Sequence, residues 1–118
     1  MAAPLRIGVF GAGHLGRIHV QQLLQLPEWE VVGIHDPHAE KRSALETEFG
    51  VRGFADPAEL MAQVEVLDIV TPTISHAKLA TEALERGLHI FVEKPFTQTV
   101  AEADELVAKA VATGKAVQ

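Results

Sequence analysis

Three glycines within six residues, Gly11-Ala12-Gly13-His14-Leu15-Gly16, are the first residues in this chain whose types and spacing could do chemistry. A pyrophosphate needs hydrogen-bond donors that no side chain obstructs. A turn bare at Gly11 and Gly13 lets backbone N–H groups and a helix N-terminus approach one. His14 and Leu15 fall inside the same turn, with His14 expected to face solvent, and Gly16 would let the following helix pack closely on the first strand. G-x-G-x-x-G alone does not decide the matter, because three glycines also make an ordinary tight turn. Asp36 adds a second signal, a carboxylate 20 residues beyond Gly16 that suits both hydroxyls of an adenosine ribose. Its charge would repel a 2′-phosphate, and no arginine follows it directly, since Lys41 and Arg42 stand a turn or more into the next helix. This favours NAD over NADP. The plainer use of Asp36 is a helix cap just before Pro37.

The elements that must position these residues alternate along the chain. Leu5 to Phe10 reads as a strand, followed by a helix from about His14 to Leu26 with Leu15, Ile18, His19, Gln22, Leu23 and Leu26 on one face. Pro27 ends that helix. Glu30 to His35 is a second strand, and a helix starting at Pro37 turns Leu45 and Phe49 inward and stops at Gly50. A short strand at Val51 to Phe54 precedes Asp56-Pro57-Ala58-Glu59, which reads as an N-cap, a first-position proline and a reciprocal capping glutamate. Val66 to Val70 is apolar on both sides of the pleat, as a central parallel strand is. Ser75 is placed to cap a helix that turns Ala77, Ala80, Ala83 and Leu84 inward and ends at Gly87, and Leu88 to Glu93 is a fifth strand. Thr99 and Glu102 form a capping box for a last helix, with Val100, Ala103, Leu106-Val107 and Ala110-Val111 at helical spacing and Gly114 as its stop. Lys115 to Gln118 begins a sixth strand.

Strands and helices in this alternation, joined by short connections, imply right-handed crossovers and an α/β fold. The expected architecture is a doubly wound parallel sheet in the order 3-2-1-4-5 with its sixth strand truncated. Ligands of such sheets bind beyond the carboxyl ends of the strands, at the switch point between strands 1 and 4. Those ends are the glycine turn, Asp36, Thr71-Pro72-Thr73 and Glu93-Lys94-Pro95, so four separate stretches converge on one crevice. Residues 1–118 read as one NAD(P)-binding Rossmann domain.

Composition narrows the function classes. With 47% hydrophobic residues the chain can bury a core. Ten Lys and Arg against 16 Asp and Glu give a net charge of -6, and the basic residues are scattered, which argues against nucleic-acid binding. The apolar runs are too short to cross a bilayer, and Met1 to Arg6 shows no secretory pattern, so a cytoplasmic location without a membrane partner is expected. No cysteine is present, and no His, Asp and Glu spacing resembles a metal site. Asp68, a carboxylate inside the central strand, must have a hydrogen-bond donor or a raised pKa. His19, one turn past Gly16, reads as a partly buried packing residue.

The segments Thr71-Pro72-Thr73-Ile74-Ser75-His76 and Glu93-Lys94-Pro95-Phe96, with the glycine motif extended to His19, resemble the Gfo/Idh/MocA family of NAD(P)-dependent oxidoreductases over all 118 residues. E-K-P at the end of strand five is the most specific part of that match. The resemblance implies that Lys94 is catalytic, contacting the nicotinamide ribose and the substrate oxygen, where a cation would stabilise developing alkoxide character. It also implies a cis bond before Pro95, Glu93 fixing the loop, and Thr71, Pro72 and Thr73 lining the cofactor crevice. His76 would contact the cofactor or brace the loop. Family members continue into a second α/β domain that carries the substrate pocket and the proton-transfer residues, and this sequence lacks it. The expectation is the NAD-binding part of a dehydrogenase of a sugar, cyclitol or related polyol. By itself such a chain would bind dinucleotide without turnover, a small polar substrate requiring the second domain. The competing reading is a non-enzymatic nucleotide-binding or protein-interaction module, including a homo-oligomer formed through the exposed edge at strand six.

Overall fold

In the computed structural model, which describes residues 2–118, the apolar run Leu5–Phe10 is β1, the middle strand of a five-stranded parallel sheet. β2 (Trp29–His35) pairs on one side of it and β4 (Val66–Ile69) on the other. β3 (Gly53–Phe54) lies beyond β2, and β5 (His89–Val92) beyond β4. The order β3-β2-β1-β4-β5 is the doubly wound one that the alternation of elements predicts. β4 is buried at all four positions, which explains why its sequence lacks a polar alternation. The sixth strand begins where expected: Val117 bridges Ile90 in parallel, with Gln118 N donating to Ile90 O at 3.0 Å.

Successive side chains of β1 enter opposite cores. Val9 joins Val20, Ile34, Leu45 and Val51 under α1 (His14–Leu23) and α2 (Ala39–Phe49). Phe10 joins the larger cluster of Leu60, Leu67, Ile69, Leu84, Ile90 and Leu106, packed by α3 (Pro57–Met61), α4 (His76–Glu85) and α5 (Val100–Thr113). The Thr99–Glu102 capping box of α5 forms in both directions, at 3.1 and 3.2 Å.

Several local expectations need correction. Asp56 caps α3 through Ala58 N at 3.0 Å, but Glu59 turns outward to Arg52, so the reciprocal half of that box is not made. A short 3₁₀ turn, Thr73–Ser75, leads into α4 and leaves Ser75 with helical dihedrals, whereas a capping residue needs an extended backbone. Its hydroxyl instead bonds Thr71 Oγ1 at 2.7 Å. α1 stops at Leu23 and is rotated from the predicted face, with Gly16 and Val20 buried while Leu15 is 51% exposed. Ile18, His19, Gln22, Leu23 and Leu26 line an apolar hollow of about 420 Å³ with Ile7, Trp29, Asp68 and Phe91. α2 begins at Ala39 instead of Pro37, and β3 at Gly53 instead of Val51.

Candidate functional site

β1 delivers the chain into a turn at Gly11, whose φ of +113° disfavours any side chain and where a Cβ would lie 2.5 Å from the Val70 carbonyl oxygen. At Gly16 a Cβ would stand 1.7 Å from the Gly11 carbonyl oxygen. Gly16 therefore lets α1 pack on the turn itself, and not on the strand before it as the sequence suggests. Gly13 differs from both. Its φ is an ordinary -79°, and a Cβ there would meet nothing within 4 Å. The bare backbone at Gly13 thus serves no packing need among the described residues and borders open space. Gly13 is also the N-cap of α1, which no side chain caps, so the unpaired N–H groups of the first turn and the positive end of the helix dipole border that space. His14 and Leu15 are exposed beside it.

Asp36 closes the carboxyl end of β2 and is only 7% exposed. Its Oδ2 accepts from Ala12 N at 3.0 Å, so the two sequence signals, glycine turn and acidic residue, are in direct contact. Oδ1 accepts from His38 N at 2.8 Å and from His38 Nδ1 at 2.9 Å. Burial works to raise this carboxyl, but the N–H groups of Ala12 and His38, the His38 ring and the Lys41 charge outweigh it and hold it below the usual carboxylate range. An ionised carboxylate accepts about four hydrogen bonds, which leaves acceptor capacity on Oδ2. The plainer capping role is not taken: the N-cap of α2 is His38, which no side chain caps, and Asp36 accepts from His38 N ahead of the first turn. Arg42 donates to the Asp36 carbonyl oxygen at 2.7 Å. A cleft of about 490 Å³ runs from Asp36, His38 and Lys41 to Thr71, Pro72 and Ile74, joining the carboxyl ends of β2 and β4. Thr73 starts the 3₁₀ turn beside it.

Of the two roles open to His76, the structure takes the brace. The ring is 1% exposed; Nδ1 lies 2.9 Å from the Pro95 carbonyl oxygen and Nε2 2.8 Å from the Thr71 carbonyl oxygen. The loops after β4 and β5 are thereby tied together. Lys94 is exposed in the second of them, and its peptide bond to Pro95 is cis. The Lys94 N–H donates to Glu93 Oε2 at 3.0 Å.

Asp68, the carboxylate in the central strand, has its donor in His19: Nδ1 lies 2.7 Å from Asp68 Oδ2, and Nε2 lies 2.9 Å from Glu93 Oε1. The hydrogen bond to Asp68 lifts the imidazole from 6.5 to about 9 against the opposing effect of burial, with Glu93 adding to the rise. Burial pushes the Asp68 carboxyl up, and the imidazolium beside it works the other way. Glu93 is held below the usual range by the same ring and by the Lys94 N–H. Sequence reasoning missed the contacts of His38 and Arg42 with Asp36, and it treated His19 as packing. The signal for His19 was available, because a carboxylate in a buried strand demands a donor and α1 carries an imidazole one turn past Gly16.

Comparison with known proteins bears on the family and the fold. Residues 5–118 match the Gfo/Idh/MocA family model, described as an oxidoreductase family with an NAD-binding Rossmann fold. The chain is 39% identical to UDP-N-acetylglucosamine 3-dehydrogenase of Acidithiobacillus ferrooxidans, over 90% of this chain and 33% of that protein. It is 32% identical to scyllo-inositol 2-dehydrogenase (NAD(+)) of Bacillus subtilis, over 97% of this chain and 34% of that one. The chain thus spans about a third of the length of these relatives. Among solved structures, GenD2 from gentamicin A biosynthesis in complex with NAD superposes with a TM-score of 0.94 at 27% identity, over 99% of this chain and 34% of that one. No helix among the described residues is long and apolar enough to cross a membrane. With its sheet order, glycine turn and E-K-P loop in place, the chain belongs to the Gfo/Idh/MocA oxidoreductase family, as an NAD-binding Rossmann fold.

Proposed function

We propose that this chain is the nucleotide-binding part of an NAD-dependent dehydrogenase of a sugar, cyclitol or related polyol. The observation that carries the reading is the open space over Gly13, at the N-terminus of α1, with the ionised Asp36 carboxylate in contact with the same turn. In this reading the first-turn N–H groups of α1 hold the pyrophosphate, and Asp36 accepts from the adenosine ribose. The cleft between His38 and Ile74 takes the adenine. NAD, when bound, supplies the hydride acceptor. Lys94, at the end of β5, stands at the nicotinamide end and stabilises negative charge developing on the substrate oxygen. Hydride transfer from an alcohol also needs a proton acceptor and a pocket closed to water. The carboxylate next to Lys94 is already engaged by His19 and by backbone. We therefore assign proton transfer and substrate binding to sequence that the longer relatives carry, and binding without turnover to this chain.

Calorimetric titration with NADH and NADPH tests the reading. Saturable heat with NADH, at least about tenfold tighter than with NADPH, is expected from an unneutralised carboxylate at the ribose. Asp36→Asn keeps an acceptor for Ala12 N and should erase most of that preference. No saturable heat at millimolar NADH would overturn the assignment.

A further inference from the structure

Three ionisable side chains from three elements form one line of contacts that the proposed reading leaves without a role. Asp68 projects from β4, His19 from α1, and Glu93 stands at the end of β5. Their side-chain exposure rises along the line, from 3% at Asp68 through 16% at His19 to 25% at Glu93. The line therefore runs from the interior of the sheet to the loop that carries Lys94. Its two ring contacts, 2.7 Å to Asp68 and 2.9 Å to Glu93, use both nitrogens of one imidazole. Each partner is a carboxylate, so a ring that donates from both nitrogens satisfies both, whereas a neutral ring would turn a lone pair toward one of them. The Phe91 ring stands edge-on to His19, with centroids 5.8 Å apart, and limits its rotation.

From this geometry we infer that His19 is a positioning residue for Lys94: its ring locks the Glu93 carboxylate, whose second oxygen holds the Lys94 backbone N–H and so aims the lysine. The inference rests on Lys94 standing at the nicotinamide end of the cleft. A histidine needed only to satisfy Asp68 would require one of these contacts. The second reaches out to a residue at the cleft rim that could be solvated without it. Lys94 lies in a stretch between β5 and α5 with no regular structure, where a long side chain on a loose backbone would sample many directions. The Glu93 bridge instead ties that stretch, through one imidazole, to the buried β4.

The test compares NADH with ADP-ribose, which lacks nicotinamide, in calorimetric titrations of the chain and three variants. Lys94→Met examines the underlying reading and should weaken NADH about tenfold while sparing ADP-ribose, the effect of losing one hydrogen bond to a charged group. His19→Gln keeps a donor for Asp68 but carries no charge. Glu93→Gln leaves the His19–Asp68 pair intact and turns one of two oxygens, each of which serves a different donor, into an NH2 group that faces either His19 or the Lys94 N–H. Both are expected to weaken NADH about threefold to tenfold and to leave ADP-ribose within about twofold. Equal losses on the two ligands would mean that His19 merely seats α1 beneath the pyrophosphate, and would overturn the inference. Unchanged NADH binding in both variants, beside a selective loss in Lys94→Met, would overturn it while leaving the reading of Lys94 intact. A Lys94→Met variant without a selective loss removes the reading, and the inference with it. Should circular dichroism show His19→Gln unfolded, Glu93→Gln decides alone.

Discussion

His19 of α1 and Asp68 of β4, 49 residues apart in sequence, share a 2.7 Å hydrogen bond. It reconciles an apolar parallel strand with a carboxylate at its middle. Removing an unpaired charge from water costs far more than a strand of four residues can offset, so the position is tolerable only because α1 brings a donor to it. The other oxygen of Asp68 is buried with no hydrogen-bond partner among the described residues. That leaves His19 as the side chain on which this carboxylate depends.

Stability should therefore fall on the alkaline side of neutrality. The folded imidazole titrates at about 9 against an ordinary 6.5. Its contribution is complete below the ordinary value and is lost as pH rises through the folded one. Asp68, pushed up by burial, has the same sign, whereas Glu93, held down, contributes above its unfolded value and loses its effect only in acid. The expected loss between about pH 6 and about pH 9.5 is about 1 to 2 kcal/mol, allowing for solvent screening at a partly exposed ring. Urea denaturation across that range measures it, and His19→Gln should flatten the profile. A flat profile in the unsubstituted chain would refute the pairing.

The two glycines on either side of His14 should respond oppositely to alanine. Gly16→Ala places a Cβ 1.7 Å from a backbone carbonyl that cannot move without breaking the turn. A loss of about 3 kcal/mol or more is expected, seen as an earlier denaturation midpoint. Gly13→Ala meets open space at an ordinary φ, so stability should change by less than about 1 kcal/mol. NADH affinity should nonetheless fall about tenfold, since the methyl would occupy the pyrophosphate's approach. Unaltered NADH binding in a folded Gly13→Ala chain would move the nucleotide away from this turn.

Much of this arrangement was legible because the signals are local. The Thr99–Glu102 box and the stops at Gly50 and Gly114 depend on a few adjacent residues, and each forms as read. The contact between Asp36 and Ala12 follows once β1 and β2 are neighbours, which the alternation of elements dictates. What could not be read depends on distant competition. Glu59 leaves its cap for Arg52, and Ser75 leaves its own for Thr71. The rotation of α1 escaped an apolar count because close approach at Gly16, the residue with the least hydrophobic surface, decides which side of the helix meets the turn. His38 carries no periodic signal at all, being an exposed ring that finds Asp36 through the turn at Pro37.

His76 offers a separate test of how the cleft is held open. Its ring spans two loops, from the Thr71 carbonyl to the Pro95 carbonyl, and is almost wholly enclosed. His76→Ala removes the ring's contacts with both carbonyls and leaves a cavity, so a loss of about 3 kcal/mol in urea denaturation is expected. His76→Gln can reach only one of the two carbonyls and should recover about half of that. NADH affinity should fall in both, more in His76→Ala, because the loops that carry Thr71 and Lys94 lose their common tie. A His76→Ala chain with unchanged stability and affinity would mean that the cis Lys94–Pro95 loop holds its place without the ring, and that the brace has no bearing on the cleft.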